Sequence, residues 1–298
     1  MRSPSAVLIA VTLWASAFAC SEFAVHAVPD QVAASLRFDG AALLLLAVDR
    51  VRRVRGGARL TGAGKRGVVW LGVLGIFGYN VLLFGGLTAA PAADASVIVP
   101  TLSPVITAVA IAVSRRRPPT PAHLGGFGLA IVGSVLFLAG PATEASSRRL
   151  LGDLVFVLAA ASWAAYSIRT KAMLEQVEPL RLTTYATVAG AILLAGYAAP
   201  ALAQVNWAQL SPSFWLNQAY LAVFPTALAN PLYSYGVGRI GPARATTLMF
   251  LVPTGGLAWS YLLLGETINA SQAGAVVLML VGAWLATSAQ RVSSASLR

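Results

Sequence analysis

The 298-residue chain is 57% hydrophobic, only 10% of it is Asp, Glu, Lys or Arg, and its mean hydropathy is +0.74. A soluble domain is roughly 45–50% apolar and about 25% charged, so too little charge is present to cover a water-facing exterior, and the outside must meet lipid. The formal net charge of +11 would suggest nucleic acid as the partner of a soluble chain. Here the basic residues stand in short breaks between apolar runs, which makes them an orientation signal rather than a nucleic-acid-binding stripe.

A membrane-crossing helix needs about 20 mostly apolar residues. Ten candidates occur in chain order, at 5–27, 31–49, 67–88, 93–114, 121–140, 151–172, 180–200, 213–237, 243–264 and 271–290. The first begins with Arg2 and contains the small-residue string Ala17-Phe18-Ala19-Cys20, but its apolar run continues past Cys20, so it reads as a span rather than a cleaved leader. The stretch from Arg181 to Arg239 has no charge between its ends, and Pro200 and Ser211-Pro212 divide it into two helices. A barrel would need alternating strands of about ten residues, and these runs do not alternate. The expected class is therefore an all-α integral membrane protein with ten transmembrane helices.

Lys and Arg divide unevenly between the loops. Of 21, 18 lie in 50–66, 115–120, 169–181, 238–244 and the two ends of the chain, while the opposite loops hold only Arg148 and Arg149. By the positive-inside rule both termini are expected in the cytoplasm of a bacterial inner membrane. The chain also repeats itself. At an offset of 149, Trp14 meets Trp163, Pro104 meets Pro253, Gly125 meets Gly274 and Gly133 meets Gly282. Five spans is an odd number, so a second copy enters from the opposite face. Two inverted-topology five-helix repeats follow, at 1–143 and 144–298, with a solute site expected near mid-membrane between them.

Several segments then resemble one family. Leu13-Trp14-Ala15-Ser16-Ala17-Phe18, Leu36-Arg37-Phe38, Gly152-Asp153-Leu154, Ser162-Trp163-Ala164, Leu264-Gly265-Glu266, and the prolines of Ser103-Pro104 and Val252-Pro253 together resemble the EamA-type branch of the drug/metabolite transporter superfamily, which includes bacterial amino-acid and metabolite exporters. The chain departs from that pattern at Ser114-Arg115-Arg116-Arg117, at Glu22 and at Asp39. The resemblance implies a ten-helix carrier with a central cavity, moving small metabolites and often exporting them.

Ionisable groups inside a membrane are expensive and are functional candidates. Glu22, Arg37 and Asp39 fall at similar depth, where a Glu22–Arg37 ion pair with Asp39 nearby would form an outer gate, a coupling site or a structural clamp. Pro104 and Pro253 are candidate bend points. Trp14, Ser16, Tyr79, Asn80, Thr101, Trp163, Tyr166, Thr226, Asn230 and Tyr233 gather near mid-depth and are expected to line a wet cavity, with Thr254 further along the same region. Asp94 and Asp153 are expected at helix starts, capping free amides. The glycines at 72, 75 and 78 and the small residues Gly126, Ala130 and Ser134 are expected to bring helices close together.

The single cysteine, Cys20, allows no intrachain disulfide; no cluster suits a metal, and His26 and His123 stand alone. No GxxxxGK[ST] loop exists to hold ATP. No cofactor, metal, nucleic acid or enzymatic activity is expected; the partners are the lipid bilayer and a small-molecule substrate, with monomer and homodimer both open. A secondary transporter or facilitator working by alternating access is the leading reading. A proton-coupled multidrug or metabolite antiporter, and a non-transporting membrane receptor or assembly factor, are the alternatives.

Overall fold

A computed structural model describes residues 3–54, 62–115, 120–139, 146–265 and 269–295. Arg116, Arg117 and Glu266 of the sequence motifs lie outside the described residues. Among those described, the chain is helical and contains no β-strand. Seven helical stretches are long and apolar enough to cross a membrane: Pro4–Val25, Asp30–Arg52, Gly64–Leu87, Ala92–Ser114, Ser147–Met173, Pro179–Gln204 and Pro242–Leu263; two shorter apolar helices cover Leu124–Phe137 and Ala270–Gly282.

The elements follow the apolar runs. Helix α1 is Ser3–Val25 and α2 is Asp30–Val54. Helix α3 (Gly62–Leu71) passes through a π-helical segment, Gly72–Gly78, into α4 (Tyr79–Leu87). Then come α5 (Ala92–Arg115), α6 (Pro121–Leu138), α7 (Ser147–Met173) and α8 (Pro179–Ala198), which tightens into a 3-10 turn, Ala199–Gln204. Helix α9 (Pro212–Leu221) passes through a second π segment, Ala222–Leu228, into α10 (Ala229–Ile240). A short α11 (Pro242–Thr247) and a 3-10 turn, Leu248–Leu251, lead into α12 (Val252–Leu264), and α13 is Ala270–Ala295.

Local chemistry sets the boundaries. Ser211 and Ser146 accept the amides of Phe214 and Arg149, both at 3.2 Å, which caps α9 and α7. Asp153 therefore does not start a helix as expected: α7 begins six residues earlier, and Asp153 lies inside it, beside Asp94 and Arg149. Asp94 does lie in the first turn of α5. Gly241, with φ of 82°, turns the chain between α10 and Pro242 in a conformation that favours glycine. The tightened turn before α12 ends two residues ahead of Pro253, whose missing N–H cannot serve the carbonyl four residues back.

Packing joins distant parts of the chain, and the partners come in matched pairs. Helix α5 packs on α7, as α12 packs on α1; α4 packs on α7, as α10 packs on α1; the first π segment packs on α8, as the second packs on α2. Helix α6 lies along α13. There the small-residue face expected from sequence is present. A Cβ on Gly133 would fall 2.8 Å from the Ala275 carbonyl and 2.9 Å from the Met279 amide, and one on Gly282 would fall 2.6 Å from both the Gly126 carbonyl and the Ala130 amide. Outward-facing side chains are apolar: Leu43, Val113, Leu216, Leu262 and Trp284 are each exposed by two thirds or more. That exterior suits hydrocarbon, where each helix satisfies its own backbone.

Candidate functional site

The two π segments begin 150 residues apart, close to the offset read from sequence. A π turn breaks the i→i+4 ladder and releases carbonyls, and such bulges often mark functional sites. Side chains add further donors, in the first segment to the Leu74 and Ile76 carbonyls, which the Tyr79 amide also reaches. Ser162 Oγ donates to the Leu74 carbonyl at 2.7 Å, and Asn80 Nδ2 donates to the Ile76 carbonyl at 2.7 Å. In the second segment Pro225 has no N–H to offer Leu221, and Thr226 Oγ1 donates to that carbonyl at 2.7 Å instead. The Pro225 carbonyl accepts Trp14 Nε1 at 2.8 Å.

Between the segments lies an aromatic cluster. Trp163 is 5.1 Å from the ring centroids of Trp14, Tyr79 and Tyr166 and 5.5 Å from Tyr233; Trp14 is 4.9 Å from Tyr233. Such pairs contribute about 0.5–1.5 kcal/mol each beyond their buried area. Gly75 makes room for this cluster, since a Cβ there would reach 2.1 Å from the Tyr166 ring. Beside the rings is a cavity of about 40 Å3 whose wall includes Trp14, Arg37, Tyr79, Asn80, Trp163 and Asn230. No carboxylate is among its lining residues. A larger recess of about 620 Å3 between α2, α8 and α10 is walled mainly by aliphatic side chains, and its two charges, Arg52 and Glu178, pair with each other at 3.1 Å. Of these two, the smaller cavity has the more polar chemistry to offer.

Arg37 is the charge in that wall. It is 6% exposed; its Nε donates to Thr226 Oγ1 at 2.8 Å and its Nη1 to Ser21 Oγ at 3.2 Å, while its guanidinium lies 5.1 Å from the Phe38 ring. Among the described residues no carboxylate lies within 4 Å of it. The expected Glu22–Arg37 pair is thus not formed. Glu22 turns the other way, accepting the Ala92 amide at the start of α5 and lying 3.8 Å from His26 Nε2. A carboxylate there meets the positive end of a helix. Asp39 accepts Ser35 Oγ at 2.6 Å.

Other expected site residues divide between the cavity and its supports. Trp14, Tyr79, Asn80, Trp163 and Asn230 line it. Thr226 holds Arg37, and Tyr166 backs the Trp163 ring. Tyr233 shares a 3.0 Å hydrogen bond with Ser167. Ser16 donates to the Leu13 carbonyl and is 2.7 Å from Tyr220 Oη, which puts it behind the wall. Thr101 points elsewhere: it is fully buried and donates to Met279 Sδ at 3.5 Å. Thr254 is exposed. Pro104 and Pro253 are buried within α5 and α12, and α5 also carries Pro100, which the sequence reading passed over.

The sequence reading missed two charge networks. Asp49 and Arg181, 3% and 9% exposed, pair at 3.3 Å between α2 and α8, and Tyr185 Oη donates to Asp49 at 3.1 Å. Arg149 grips Asp94 through two contacts, of 2.7 and 2.9 Å, between α7 and α5. The signal was present in each case as a charge at a helix end, but the partner was not.

Comparison with known proteins places this geometry. The EamA-like transporter family model matches twice, over residues 2–139 and 150–288. The uncharacterized transporter YyaM of Bacillus subtilis is 26% identical over 224 residues, covering 74% of this chain and 73% of that one. The probable terminal-alkyne amino-acid exporter of Streptantibioticus cattleyicolor is 29% identical over 196 residues, 65% of this chain and 64% of that one. The probable amino-acid metabolite efflux pump of Salmonella typhimurium is 26% identical over 287 residues, 93% and 92%. A solved crystal structure shares the fold, with a TM-score of 0.72 over 97% of this chain and 99% of the other at 22% identity. With both halves matched, the chain belongs to the EamA-like transporter family.

Proposed function

We propose that this transporter is a secondary carrier or facilitator that exports small metabolites, amino acids among them, through the central cavity by alternating access. The observation that carries the reading is the cavity itself, an aromatic and polar pocket walled by helices from both family-matched stretches. At about 40 Å3 it is far below the ~300 Å3 of a typical ligand site, so passage of a solute requires the surrounding helices to move apart. Two of the relatives are named for amino-acid or amino-acid metabolite export. Among the described residues none lining this cavity is a carboxylate, which supports facilitated passage over the proton-coupled antiporter.

Ten spans in two inverted repeats, 1–143 and 144–298, with both termini cytoplasmic in a bacterial inner membrane, complete the proposal. The matched packing pairs, the double family match and the distribution of Lys and Arg support it. Trp14, Tyr79, Asn80, Trp163 and Asn230 form the proposed contact surface, and Pro104 and Pro253 the proposed bend points. Counterflow in proteoliposomes tests the reading: an internal load of mixed amino acids should drive transient accumulation of a labelled one. No accumulation of any amino acid, from a preparation that retains its fold, would end it, and saturable binding without flux would favour the receptor alternative.

A further inference from the structure

The recess between α2, α8 and α10 is the larger of the two cavities and takes no part in the proposed solute pathway. Two apolar stripes wall it. Leu44 and Val48 of α2 lead, one turn on, to Arg52; Val223 and Leu228 of the second π segment lead along α10 to Tyr235. Leu44, Val48, Val223 and Leu228 are 38–44% exposed, so the slot opens on the outer surface of the bundle. The stripes run over eight and twelve residues, or about 12–18 Å at the rise of a helix. That is close to half of the ~30 Å hydrocarbon core, the depth of one leaflet. A hollow of about 620 Å3 does not stay empty beside close-packed apolar groups, and acyl chains are what a bilayer supplies at that depth.

The polar groups of the recess gather at one end. Arg52 and Glu178 pair there at 3.1 Å, each about half exposed. Thr183 Oγ1 bonds Ser234 Oγ at 3.0 Å, which sets the neighbouring Tyr235 beside the start of α8. The Arg239 guanidinium lies 5.3 Å from the Tyr235 ring, one turn further along α10. Among the described residues no carboxylate lies within 4 Å of Arg239. Two guanidiniums against one carboxylate leave this mouth positive. Both arginines belong to the basic breaks at 50–66 and 238–244. We infer that the recess binds an anionic phospholipid of the adjoining leaflet, the cytoplasmic one in the orientation proposed above. Its phosphate meets Arg52 and Arg239, and one acyl chain fills the slot. A choline or ethanolamine headgroup would bring its own cation to a mouth already positive, and free phosphate would leave the apolar walls uncovered. The site does not depend on what the central cavity carries, yet the two share a wall. Val223, Ala227 and Leu228 face the recess from the segment whose Thr226 holds Arg37 and whose Pro225 carbonyl accepts Trp14.

The test is native mass spectrometry of the full, delipidated chain in detergent, titrated with dioleoylphosphatidylglycerol or dioleoylphosphatidylcholine. The first phosphatidylglycerol should bind about fivefold more tightly than the first phosphatidylcholine, the worth of one basic residue at a membrane surface. Arg52→Gln combined with Arg239→Gln should bring the two lipids level. Val48→Trp, which puts a ring into the slot from an exposed position, should abolish the first bound lipid of either kind. Inorganic phosphate alone should not compete. Equal binding of the two lipids by the native chain, or unchanged binding in Val48→Trp, leaves only an unselective lipid shell and overturns the assignment. A native dimer that Val48→Trp dissociates also overturns it, because a second copy then fills the recess. If Val48→Trp does not fold, the double arginine variant, altered only at exposed positions, decides: a surviving preference for phosphatidylglycerol removes the site.

Discussion

The two family-matched halves place tryptophans at equivalent positions and use them differently. Trp14 is tied through its Nε1 to the Pro225 carbonyl, while Trp163, 149 positions on, packs its ring against Tyr79, Tyr166 and Tyr233 beside the cavity. Glu22 and Lys171 are also 149 apart: the acid accepts an amide at the start of α5, and the base donates to the Gly238 carbonyl at 2.8 Å near the end of α10. Each charge meets the helix end of opposite polarity. Asp49 and Arg181 have no such counterparts, since the positions 149 away are Ala198 and Val32. The difference teaches that the scaffold follows the repeat while the polar chemistry does not.

That comparison can be broken at several points. The largest effect is expected at the unrepeated ion pair: Asp49→Leu should cost about 3 kcal/mol by stranding Arg181, read as a lower melting temperature in detergent, with Arg181→Leu costing a similar amount. Next come the paired glycines. Gly133→Val and Gly282→Val should each lose about 1–3 kcal/mol, and by similar amounts; a clear inequality would break the symmetry of that contact. The tryptophans sharpen the contrast further. Trp14→Phe should lower stability by about 1 kcal/mol, because the Pro225 carbonyl loses its extra donor. Trp163→Phe should cost at least about 1 kcal/mol through its lost ring contacts and also reduce counterflow. The smallest effects belong to the helix-end charges: Glu22→Gln and Lys171→Met should each cost about 0.3–1 kcal/mol, checked by the same melting curves.

The helices were legible in sequence because lipid demands long apolar runs and because Pro, Gly and charge interrupt them at the loops. The five cavity residues Trp14, Tyr79, Asn80, Trp163 and Asn230 were legible for the same reason, since polar and aromatic groups amid aliphatic ones need a wet or paired setting. The π segments were not: Gly72–Gly78 and Ala222–Leu228 keep the apolar character of ordinary helix, and only the backbone ladder distinguishes them. Arg37 was found by its charge and given the wrong partner, because depth along a helix says nothing of azimuth, and Glu22 faces the start of α5. Asp153 was misplaced because a cap seven residues back, at Ser146, starts the helix earlier. Thr101 was assigned to the cavity by depth alone, and its side chain meets Met279.

The contact between α6 and α13 has one more consequence. Gly133 rests on Ala275 and Met279, and Gly282 rests on Gly126 and Ala130, so adding 149 to each number in the first set, modulo the duplication, yields the second set reversed. A surface that fits its own copy in this way is what a two-fold homodimer uses. Two separate half-length chains could have met along this seam, at the mercy of their abundance in the membrane. Joined in one polypeptide, the same seam closes regardless of dilution, and each side is then at liberty to drift in its polar residues without losing its mate.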